Sequence, residues 1–65
     1  MSMTLDEMFV VMEKERKRQG ITQKQLSEKA GYYPTCWGQV LWRGTCSALQ
    51  LIDYIDALGM KVTVE

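Results

Sequence analysis

The side chains able to do chemistry in this sequence are few. Cys36 and Cys46 are the only cysteines, and the chain has no histidine. Acid–base chemistry through imidazole and zinc sites containing histidine are therefore excluded, and two sulfurs are too few for a tetrahedral structural site. Neither cysteine sits in a nucleophile-and-base arrangement, and no glycine-rich phosphate loop appears, so the sequence does not read as an enzyme. Two free, buried thiols are the plain reading of the cysteines; a redox switch at Cys36 is the alternative. What remains is charge. Residues 1–13 carry a net charge of −3, residues 14–43 carry +5, and residues 44–65 carry −2, within a total of zero. A basic middle can present one positive face to a polyanion, although the same lysines and arginines would also suit solvated helix surfaces.

Length and composition set the frame for those groups. Sixty-five residues allow one domain with one core. The chain is 46% hydrophobic and 25% charged, as in ordinary globular chains. No apolar run approaches the ~20 residues that span a bilayer, and no basic region followed by an apolar stretch marks a secretory signal. No membrane association and a cytoplasmic location are the expectations. A core this small rarely supplies more than about 3–5 kcal/mol, which makes a homodimer the expected state. No metal or other cofactor is expected.

The elements that must position these groups are four helices, expected at about 5–19, 22–30, 34–43 and 47–58, and a short strand at about 60–64. Thr4–Glu7, Thr22–Gln25 and Ser47–Gln50 have the spacing of capping boxes. Leu5, Met8, Phe9 and Met12 recur at helical spacing, and Gly20, Gly31, Gly44 and Gly59 stand where helices should stop. The start of the second helix would offer free N–H groups to an anion. Pro34 suits the first position of the third helix. There Trp37, Val40 and Leu41 share a buried face, while Thr35, Gly38, Gln39 and Trp42 share the opposite one. Gly38 inside a helix costs about 1 kcal/mol relative to alanine, which suits either close approach of an outside body or a packing need. Met60, Val62 and Val64 alternate with polar residues, as in a strand. With no other strand in the chain, antiparallel pairing with a second copy is the expected dimer contact; packing as an extended tail is the alternative.

The order Gly20-Ile21-Thr22-Gln23, Leu26, Ala30-Gly31, Trp37, Val40, Ala57-Leu58-Gly59 resembles the Cro/CI-type (XRE-like) helix-turn-helix family of phage repressors, bacterial regulators and antitoxins. The match covers about 5–59. It implies an all-α, four-helix, lambda-repressor-like domain, here with a C-terminal strand in place of the family's fifth helix. It also implies a sequence-specific transcriptional regulator, most economically a dimeric repressor on an inverted-repeat operator of double-stranded DNA. Two recognition helices would then enter major grooves about 34 Å apart. Carried over by position, the third helix is the recognition helix. Pro34, Thr35, Gly38 and Gln39 take its outward positions, and Trp42 and Arg43 the backbone-contacting end. Thr22, Gln23 and Lys24 open the second helix over the phosphates, with Gln23 as the phosphate-contacting glutamine. Arg16 matches a family arginine near the end of the first helix, and Tyr33 and Arg43 can bond phosphate oxygens. Gln39 can bond N7 and N6 of adenine, and Thr35 can meet thymine.

The chain departs from the family in three places. Leu41 stands where a glutamate usually pairs with the helix 1 arginine, so Arg16 is either free for phosphate or bonded elsewhere. The turn before the last helix differs in length. The recognition face carries no charge before Arg43, so its centre cannot read guanine through arginine. A partner-protein role, as an antitoxin or as a phage inhibitor of a host protein, is the competing expectation, since two tryptophans, Val10-Val11 and several methionines could form an interface.

Overall fold

The computed structural model describes residues 4–60. It is all-helical: α1 spans Leu5–Gln19, α2 Gln23–Lys29, α3 Cys36–Arg43 and α4 Ala48–Ala57. The predicted helices are therefore present in the predicted order, with α3 starting two residues late and α2 and α4 shortened at both ends. No strand forms among the described residues. Of the predicted strand only Met60 is described; it lies half-buried against the chain's own core rather than on an open edge. Val62 and Val64 lie outside the described residues.

The caps explain the boundaries. Thr22 and Ser47 each accept from the backbone N–H three residues on, while the Gln25 and Gln50 carboxamides reach back to the cap N–H. The Thr4 box closes differently. Thr4 Oγ1 accepts from the Glu7 N–H at 3.2 Å but gives its own proton to the Glu7 carboxylate at 3.0 Å. The first helix ends on Gly20 at φ +73°, the left-handed conformation that glycine adopts without steric cost. Gly59, also at +73°, turns the chain after α4 so that the Met60 N–H bonds the Ile55 carbonyl at 3.1 Å.

Helix α3 starts late because Pro34 and Thr35 are spent on a turn, closed by the Cys36 N–H to the Tyr33 carbonyl at 2.9 Å. Thr35 makes no side-chain cap. The cap comes from α2 instead: the buried Ser27 hydroxyl accepts from the Trp37 N–H at 2.9 Å and donates to the Gln23 carbonyl at 3.0 Å. One buried hydroxyl thus fixes the start of α3 to α2. Replacing Ser27 with alanine should cost about 1–3 kcal/mol, because the Trp37 N–H stays buried without an acceptor. A thermal melt that matches the wild type would show that this bond does not hold the two helices.

The core gathers residues from every helix: Phe9 and Met12, Leu26, Trp37 and Val40, and Tyr54, Ile55, Ala57 and the following Leu58. Its centre is aromatic. Trp37 meets Phe9 edge-on at 5.8 Å between ring centroids and Tyr54 at 4.6 Å. Tyr54 meets Tyr32 at 5.3 Å. Helix α2 packs on both α3 and α4. Gln19 ties the ends of α1 and α4 together, donating to the Leu58 carbonyl at 2.7 Å.

Candidate nucleic-acid interface

The outward face of α3 is built by default. Trp37 and Val40 face the core, so helical periodicity turns Gln39, Trp42 and Arg43 out to solvent. Trp42 is 88% exposed, and Tyr33, one turn before the helix, is 83% exposed. Pro34 and Thr35 are exposed beside them. Gly38 is half-buried, because its position meets the start of α2. A Cβ placed there would lie 3.4 Å from Gln23 Oε1, an ordinary contact with the end of a flexible side chain. Local packing therefore does not demand a glycine.

At the start of α2, Thr22, Gln23 and Lys24 are all exposed. The Thr22 hydroxyl is engaged in its cap. The Gln23 carboxamide donates to Glu13 Oε1 of α1 at 2.9 Å. This contact, with that to Gly38, holds Gln23 where α1, α2 and α3 approach one another.

Arg16 belongs elsewhere. Its Nε donates to Glu13 at 2.5 Å and its Nη1 to the Ile21 carbonyl at 2.8 Å, and its side chain is only 12% exposed. The guanidinium secures the turn between α1 and α2, so of its two expected placements the structure has it bonded within the fold. Arg16 takes its carboxylate from its own helix, one turn back. Leu41 lines an open groove of about 340 Å³ with Phe9, Val10, Glu13, Lys14 and Lys17.

Glu13 and Ser27 are structural partners of this face that the sequence reading missed. The i, i+3 spacing of Glu13 and Arg16 was a usable signal. The reach of Glu13 to Gln23, ten residues away, was not visible before folding.

Cys36 does not join the outward face. It is half-buried, with its sulfur 3.7 Å from the Gln50 amide of α4, so access to it from the α3 surface is restricted. Burial, with Cys36 nearby, pushes the Cys46 thiol up.

Below the face, the Tyr32 hydroxyl donates to the Asp53 carboxylate and so ties the turn before α3 to α4. That bond first, and burial second, push the Tyr32 phenol up to about 12. Burial is also the main cause that raises the Tyr54 phenol. A raised phenol favours the protonated folded state. Its contribution is present in full below the ordinary value of about 10 and is lost as pH rises through about 12. Stability should therefore fall in that alkaline window, and Asp53→Asn should bring the Tyr32 titration down toward 10. Absorbance of phenolate against pH reads both, and an unchanged titration in the variant would remove Asp53 as the cause.

Among the described residues no group of three or more His, Cys, Asp or Glu could hold a metal ion, and no helix is long and apolar enough to cross a membrane. No family model, curated protein or solved structure matches the chain.

Proposed function

We propose that this protein is a sequence-specific DNA-binding transcriptional regulator, a dimeric repressor acting in the cytoplasm. In this reading α2 and α3 work as a helix-turn-helix, with α3 in the major groove of an inverted-repeat operator and the start of α2 over the backbone. The observation that carries it is the outward surface of α3, where Thr35, Gln39, Trp42 and Arg43 stand exposed, as do Gln23 and Lys24 at the start of α2. The chain has no acidic side chain from residue 29 to residue 52, so nothing within that segment repels phosphate. Gln39 offers a paired donor and acceptor to adenine, Thr35 a methyl or hydroxyl, and Lys24, Tyr33 and Arg43 contacts to phosphate. In this reading the protein represses most simply by occluding the promoter.

The test is binding of the purified protein to duplexes from the region upstream of its own gene. Gln39→Ala should weaken binding to the preferred duplex by about 10–100-fold, the worth of one bidentate base contact, and relax preference at that base pair. Unchanged affinity and preference would remove Gln39 as a reader.

A second reading has its own support. Trp42 and Tyr33 are large aromatics that stand almost fully exposed, and such residues anchor protein interfaces. An antitoxin, or an inhibitor of a host protein, would use them to hold its partner. Binding to no duplex at low salt would favour that reading.

A further inference from the structure

Helix α4 exposes two large aliphatic side chains that its own fold leaves uncovered: Leu49 is 69% exposed and Ile52 is 52% exposed. They share one side of the helix with the exposed Ala48 and Asp56. The helix is also wrongly charged for a lone element. Its last turn holds no basic residue and its first turn no acidic one. Asp56 instead lies at the C-terminal end, where the macrodipole disfavours a negative charge, and the hydrogen bonds and ion pairs among the described residues give it no side-chain partner. At the other end, Ser47 caps the Gln50 N–H, while the first N–H groups of the helix remain unpaired, as at any helix start.

We propose that α4 is the contact through which two copies of this chain associate, packed antiparallel about a two-fold axis that passes close to Ile52. In that register Ile52 meets Ile52 of the second copy, with Leu49 flanking the pair on either side. Asp56 reaches the positive start of the opposite α4 at Ser47 and Ala48. The arrangement covers the exposed aliphatic pair and reverses the unfavourable placement of Asp56 twice over. It deepens the DNA reading by giving the repressor dimer a surface different from the predicted strand, and it is measurable without DNA.

Ten residues of helix are about 15 Å long, so the contact is smaller than a standard stable interface. Dimerisation should accordingly be weak, with a dissociation constant of about 10–100 µM. Sedimentation equilibrium of the full chain across about 5 µM to 1 mM tests it. Ile52→Asp puts a charge opposite its own copy and should raise the dissociation constant about a hundredfold. Asp56→Lys, which leaves the core untouched, should raise it about fivefold at low salt. Circular dichroism of both variants reports that the helices persist. The full-length double variant Val62→Asp, Val64→Asp should dimerise like the wild type. A wild type that stays monomeric throughout overturns the proposal. So does undiminished dimerisation of folded Ile52→Asp, or loss of the dimer in the Val62, Val64 variant alone. Failure of operator binding with the dimer intact would count against the DNA reading only.

Discussion

Trp37→Ala is expected to leave the chain unfolded, or close to it, at 25 °C. Trp37 has no exposed surface, and it joins Phe9 of α1 to Tyr54 of α4 while its backbone N–H rests on Ser27 of α2. Every helix therefore meets at this one residue. Removing a buried tryptophan ring costs about 3–5 kcal/mol, and a core of this size supplies about the same total. The two numbers nearly cancel, so a variant with no cooperative melt is the expected result. Circular dichroism against temperature measures it. Trp37→Phe keeps part of the ring volume and relieves the indole N–H, which is buried without a hydrogen-bond partner. It should melt cooperatively between the two. A cooperative Trp37→Ala melt within about 10 °C of the wild type would mean that the helices do not depend on this centre.

The second large effect is on DNA affinity. Lys14, Lys17, Lys24, Lys29 and Arg43 are exposed, and none forms a salt bridge among the described residues. Arg16 and Arg18 are held by Glu13 and Glu15. The Glu15 carboxyl, held down to about 2 chiefly by its bond to Arg18, stays charged at neutral pH and keeps that pair intact. If about three of the free cations on each copy meet phosphate, a dimer releases about six counterions. Affinity should then fall about a thousandfold between 50 and 200 mM salt. Operator titrations at several salt concentrations give the slope directly. Lys24→Ala should weaken binding to all duplexes alike and make the slope shallower, unlike Gln39→Ala, which should act on one sequence. A slope near zero would show that the basic middle of the chain is a solvated surface, and the weight would move to a protein partner. The Ser27 and Asp53 variants bear on the fold beneath this surface.

Local signals carried most of the fold because they are local physics. The Thr22–Gln25 and Ser47–Gln50 boxes are bonds between residues three apart, and Gly20 and Gly59 close helices through bonds within one turn. Spacing alone is enough to predict such features. The inward turn of Trp37 and Val40, and with it the outward turn of Gln39 and Trp42, follows from helical periodicity for the same reason. Pro34 was misplaced because proline suits either a first helical turn or the second position of a β-turn, and the Tyr33–Cys36 bond selects the latter.

The candidate site was legible as a set of residues but not in its assignments. By position Arg16 is open either to phosphate or to a partner within the fold. Its partners are a carboxylate on its own helix and a carbonyl across the turn, and which of several nearby acceptors a guanidinium takes depends on where the neighbouring helix lies. Cys36 belonged to the third helix by sequence, yet the packing of α4 turns its sulfur toward Gln50.

The sequence by itself determined where α1, α2 and α4 start and stop to within a residue, which face of each helix is apolar, and where the positive charge lies along the chain, since all three depend on neighbours within a few residues. Only the tertiary structure decided that Ser27 caps α3, that Tyr32 leans on Asp53, and that Leu49 and Ile52 stay uncovered. Each of these is a contact, or a missing contact, between segments far apart in sequence, and its energy exists only after the helices have packed.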